Sequence, residues 1–103
     1  MVDNITIDDL ERYNRLLEIY GKLLSERARS IVKDYIAYGL SITEIAETRN
    51  VSKQSVSTTI RRALHNLDRY ERLLGMLSLI EMLEDHCPEI VDRWQEHTER
   101  GKA

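Results

Sequence analysis

The sequence has a single cysteine, a single proline and four glycines among 103 residues. One thiol, Cys87, cannot close an intramolecular disulfide, which suits a reducing compartment. So few glycines and prolines leave little punctuation for the many turns of an all-β fold. Long apolar runs are missing as well. The longest uncharged stretch in the leucine-rich region is Leu73 to Ile80, far short of the roughly 20 residues that span a bilayer. No basic segment followed by an apolar run opens the chain, so a secretory signal is not expected. A basic excess is also lacking: 15 Lys plus Arg face 18 Asp plus Glu, for a net charge of −3. Taken alone, that balance counts against nucleic acid as a partner. What is present is 42% hydrophobic and 32% charged residues, the composition of one small folded domain over residues 1–103, expected in the cytoplasm.

The total hides an uneven distribution. Residues 1–48 carry nine acids and six bases, and residues 76–103 carry seven acids and three bases. Between them, residues 49–72 hold six bases (Arg49, Lys53, Arg61, Arg62, Arg69, Arg72) against Asp68 and Glu71, a net of +4. Such a block is often just a solvated helix face, so its neighbours decide what it means.

Apolar spacing of three and four predicts helices almost throughout, giving an all-α bundle of five to six helices. Asp8 or Asp9 can cap the first, whose apolar face is Leu10, Tyr13, Leu16, Leu17 and Tyr20. Gly21 either closes it or is tolerated within it. Ser25 opens the second, carrying Ala28, Ile31, Val32, Tyr35 and Ile36, and Gly39 stands where a left-handed residue can end it. Ser41-Ile42-Thr43-Glu44 matches a capping box and opens a short third helix. That helix ends near Asn50, a residue that tolerates positive φ. Ser52 then caps a fourth helix, with Val56, Ile60, Ala63, Leu64 and Leu67 on one face and a possible run to Leu74. Pro88 fits the first position of a last helix.

Two helices joined tightly at Asn50-Val51, the second polar and basic on its leading face, describe a helix-turn-helix over residues 41–72 with its recognition helix at 52–67. Ala46 is small where the helices cross, and Val51, Val56 and Ile60 fill the angle between them. Facing away are Ser52, Lys53, Gln54, Ser57, Thr58 and Arg61, with Ser55, Arg62 and Arg49 at the margins. Gln54 can pair bidentately with adenine, while Arg61 or Lys53 can bond a guanine edge or a phosphate. Short hydroxyls on Ser55, Ser57 and Thr58 let a helix sit deep while bonding phosphates. No acid occurs from Val51 to Leu67. Ser and Thr are mediocre helix formers, so Ser55-Val56-Ser57-Thr58-Thr59 is a poor choice for solvent exposure alone.

Leu24-Ser25-Glu26-Arg27 through Arg61-Arg62-Ala63-Leu64 resembles the region-four domain of bacterial sigma factors, over about residues 24–72. Three families of small proteins in that superfamily are similar. PapB-type adhesin-operon regulators share Lys33-Asp34-Tyr35, Gly39 to Ser41 and Ser57 to Thr59. KorA-type plasmid repressors share a Gln-x-x-Val-Ser pattern less exactly, and a tail similar to His86, Ile90-Val91 and Trp94. The YlxM family, encoded beside signal recognition particle genes, resembles Tyr20-Gly21, Leu23-Leu24-Ser25-Glu26 and Asn50-Val51-Ser52-Lys53-Gln54. The first two resemblances imply a bacterial or plasmid DNA-binding regulator, usually dimeric. The third implies an accessory of the signal recognition particle pathway that binds RNA or protein.

No nucleophile, base and orienter can be nominated together, so no enzyme, cofactor or small-molecule ligand is expected. His65, His86, His97 and Cys87 do not match a zinc spacing, so no metal is expected either. The C-terminal third, residues 73–103, offers Leu74, Leu77, Ile80, Leu83, Ile90 and Trp94, more apolar surface than one small core needs. These residues are the expected homodimer interface. The sequence thus predicts a homodimeric regulator, a repressor, on operator DNA in the cytoplasm, with no membrane association.

Overall fold

In the computed structural model, residues 5–100 are described, and they form six α-helices without a strand. These are α1 (Ile7–Tyr20), α2 (Glu26–Ile36), α3 (Ile42–Arg49), α4 (Lys53–Leu74), α5 (Met76–His86) and α6 (Pro88–Arg100). The all-α bundle is therefore as the periodicity predicted.

The first helix starts two residues earlier than a cap at Asp8 would allow, and three earlier than one at Asp9. Thr6 is the cap: its Oγ1 accepts from the Asp9 amide at 3.1 Å, and Asp9 accepts from the Thr6 amide at 3.3 Å. Asp9 thus works from within the first turn, as the far half of a capping box. Gly21 does not stop the chain with a left-handed turn. It keeps φ −54° and leads into one 3₁₀ turn, Gly21–Leu23, that carries the chain toward α2. The left-handed glycines among the described residues are Gly39 (φ 69°) after α2 and Gly75 (φ 64°) between α4 and α5.

The stripe on α4 explains the architecture. Val56, Ile60, Ala63, Leu64 and Leu67 are all buried, and α1, α2 and α3 pack around this helix. Leu16, Ile31, Val32 and Ile45 meet the stripe from those three helices and are fully shielded. Polar clasps then fix α1 across α4. Arg12 Nη1 and the Tyr13 hydroxyl both donate to Asp68, at 2.7 and 2.6 Å. Burial, and then donation to Asp68, push the Tyr13 phenol up to about 12.

Helix α5 begins at a glycine, which has no side chain to cap the exposed amides. Glu71, on the last turn of α4, does so from a distance. Its carboxylate accepts from the amides of Leu77 (2.9 Å) and Ser78 (3.1 Å) and from the Tyr20 hydroxyl (2.8 Å). Tyr20 in turn accepts from the Met76 amide at 3.1 Å. Burial alone would raise the Glu71 carboxyl, but the bonds from Leu77, Tyr20 and Ser78 hold it below its ordinary value. A lowered carboxyl contributes stability that is complete above the unfolded pKa and is lost as pH falls through the folded one. Glu71→Ala is expected to cost about 0.5–2 kcal/mol, as for loss of a helix cap. Wild type should lose the same stabilisation in acid while the variant does not, which urea unfolding at neutral pH and near pH 3 would check.

The C-terminal third divides into a docked part and a projecting part. Leu77 and Ile80 are buried, with α5 lying along α1 and Arg15 Nη2 paired to Glu84 at 2.8 Å. Those two expected dimer contacts are therefore spent within the chain itself. Helix α6 packs on α5, and Val91 is its one buried side chain among the described residues. The radius of gyration is 15.0 Å with extents of 45 × 32 × 22 Å, against about 13 Å for a compact chain of this length. The molecule is a body of five helices, α1 to α5, with α6 as an arm packed on α5.

Candidate nucleic-acid interface

Helices α3 and α4 are joined through three residues, and the geometry of the joint follows from local chemistry. Ser41 opens α3 by the predicted capping box: the Glu44 amide donates to Ser41 Oγ (3.1 Å) and the Ser41 amide donates to Glu44 Oε1 (3.0 Å). Acceptance from Ser41 holds the Glu44 carboxyl below its ordinary value. Asn50 closes the helix at φ 56°, ψ 48°. The Val51 amide then donates back to the Ala46 carbonyl at 3.0 Å, which satisfies an end carbonyl and turns the chain sharply. Ser52 Oγ accepts from the Ser55 amide at 3.0 Å and starts α4. With Ala46, Val56 and Ile60 buried and Val51 half-buried in the angle, the two helices form a helix-turn-helix.

The leading face of α4 is open. Gln54 and Arg61 are exposed and Thr58 lies half-buried between them; spacings of four and three place all three on one row. His65, exposed and four residues further on, continues that row. Lys53 and Ser52 are exposed at the helix start, where unpaired amides and the helix dipole favour an anion. Arg62 is exposed beside the row, and Ser57 is half-buried at its edge.

Both acids of the basic segment are tied to other helices, Asp68 with its side chain still 36% exposed. Asp68 is held by Arg12 and Tyr13, and Glu71 by the start of α5. The outer surface of α4 is left with Lys53, Arg61, Arg62, Arg69 and Arg72 and no unpaired acid, so the net of +4 understates the charge it shows. The helix is 22 residues long, about 33 Å at 1.5 Å per residue. Its first three turns are the part that a major groove can admit.

Two expected contacts sit elsewhere. Arg49 faces α2, where its Nη2 donates to Ser30 Oγ (2.6 Å) and to Asp34 Oδ2 (2.8 Å), bracing α3 rather than projecting outward. Arg49→Ala is expected to lower stability by about 1 kcal/mol, as for a half-shielded charged bond. A Tm shift larger than that of Arg62→Ala would bear this out. Ser55 leans to α2 as well: Arg27 donates to Ser55 Oγ (3.3 Å) and to Thr59 Oγ1 (3.1 Å). Arg27 thereby places a cation at the edge of the face. Helical spacing within α4 gives no sign of it, since it lies 28 and 32 residues away in sequence.

Among the described residues no three His, Cys, Asp or Glu side chains converge on a metal site. Among the described residues no helix is long and apolar enough to cross a membrane.

Residues 7–102 match the profile of the UPF0122 family, described as "Putative helix-turn-helix protein, YlxM / p13 like". A UPF0122 protein of Fusobacterium nucleatum is 33% identical over 92% of this chain and 89% of its own length. One of Symbiobacterium thermophilum is 35% identical over 82% of each chain. One of Desulforamulus reducens is 34% identical over 82% of this chain and 72% of its own. Of the three small families that the sequence resembles, the match supports the YlxM one.

Proposed function

Because the chain belongs to the UPF0122, YlxM / p13 like family of helix-turn-helix proteins, we propose that it binds duplex DNA through the N-terminal half of α4. The observation that carries this reading is the outward row of Gln54, Thr58 and Arg61 on a helix whose two acids, Asp68 and Glu71, are both engaged by groups of α1 and α5. Gln54 and Arg61 read base edges, Lys53 and Arg62 bond phosphates, and Ser52, Ser57 and Thr58 fix the depth of the helix. The protein acts as a homodimer in the cytoplasm, so that two recognition helices meet half-sites about one DNA turn apart. It regulates transcription by occupying its site, as a repressor, and performs no catalysis.

The resemblance to YlxM proteins implies a second reading: an accessory of the signal recognition particle pathway that presents the same basic face to RNA or to protein. Competition separates the two. A labelled random-sequence duplex is titrated with protein, then challenged with unlabelled duplex or with a structured RNA of equal length. The DNA reading predicts that duplex competes at least tenfold better. RNA competing better would overturn it in favour of the second.

A further inference from the structure

Two exposed apolar patches of opposite charge lie at the far end of the molecule. One is at the end of α4, where Leu73 is 68% exposed and Arg69 and Arg72 flank it. The other is on the outer side of α5, where Leu79 and Met82 are 47% and 60% exposed beside Glu81 and Asp85. None of the ion pairs among the described residues involves Arg69, Arg72, Glu81 or Asp85. All four are exposed, Glu81 within electrostatic reach of Arg15, and each patch has the complement of the other. Apolar surface of this kind, rimmed by charge, marks an interaction site more often than a solvated face.

We infer that a second copy of this chain covers both patches at once: the α4 end of each protomer seats on the outer α5 strip of the other. A two-fold arrangement needs this reciprocity, since any contact made by one copy is repeated by its partner. Arg69 and Arg72 meet Glu81 and Asp85 twice, around two contacts of Leu73 with Leu79 and Met82. The inference rests on the homodimer of the reading above and names its surfaces. The sequence pointed instead to Leu74, Leu77, Ile80, Leu83, Ile90 and Trp94. Leu77 and Ile80 are buried and Leu83 is half-buried on α5, while Leu74, Ile90 and Trp94 are exposed.

Charge reversal tests the pairing by sedimentation across a concentration range. Wild type is expected at twice 12.1 kDa, with dissociation favoured by salt because the pairs lie near the surface. R69E/R72E alone and E81K/D85K alone are each expected as monomers, since both contacts then repel. Mixed in equal amounts, they are expected to restore the dimer: one contact is native and the other is reversed but complementary. Monomeric wild type would overturn the homodimer itself. A dimeric wild type with either variant still dimeric would overturn only this pairing, in favour of arm against arm. Two monomeric variants that fail to associate when mixed would overturn it as well.

Discussion

Replacing Ile60 with alanine is expected to destabilise the protein by about 2–5 kcal/mol, the range for removing three buried carbons from a packed core. Ile60 is fully shielded at the centre of α4, where α1, α2 and α3 converge. A small domain has a total stability of only about 5–15 kcal/mol. The loss therefore takes much of the margin, and the urea midpoint should fall steeply. DNA binding should fail only to the extent that the protein unfolds. A midpoint within error of wild type would mean that α4 is not the core of the bundle.

One residue along the helix, the outcome reverses. Arg61→Ala is expected to leave thermal unfolding nearly unchanged, since Arg61 is exposed and makes no ion pair among the described residues. Its affinity for the preferred duplex should drop about tenfold to a hundredfold, as for one good base contact worth about 1–3 kcal/mol. Binding to unrelated duplexes should fall much less, because those rely on phosphate contacts distributed over the face. Fluorescence anisotropy on both duplexes, beside a melting curve, measures each part. If Arg61→Ala melts early, the side chain is structural and the face of α4 is assigned wrongly. If both duplexes weaken equally, Arg61 contacts a phosphate and base reading falls to Gln54.

Much of the helix-turn-helix is legible in the sequence because its rules are local. The Ser41–Glu44 box, the positive φ at Asn50, the Ser52 cap and the Val56-to-Leu67 stripe all act within one or two turns, and the structure has each of them. The misreadings have one physical origin. Arg49 pairs with Asp34 across 15 residues, Glu71 with Tyr20 across 51, Asp68 with Tyr13 across 55, and Arg15 with Glu84 across 69. Spacing on one helix cannot show which distant helix lies opposite. Arg49 therefore read as an outward cation although it braces α2. Leu77 and Ile80 read as surface for a partner although both are buried within the chain, Leu77 in the core cluster. The first cap was missed for a smaller reason: an acid one turn inside a helix and an acid at its boundary look alike until the backbone of Thr6 is placed.

The engagement of Asp68 and Glu71 by other helices also revises the reading of charge. A chain with a net of −3 shows one helix face made only of cations and neutral polar groups, and the acids that would spoil it act as clasps and caps. Scarcity of basic residues overall is then no obstacle to binding a polyanion at one face.

A face that bonds base edges through Gln54 and Arg61 must select among sequences. Selection of bound molecules from a pool of random duplexes, carried through repeated rounds and sequenced, tests it most directly. Recovery of a single repeated or inverted half-site, lost when Gln54 and Arg61 are both replaced by alanine, is the predicted result. A bound pool no different from the starting one would contradict it.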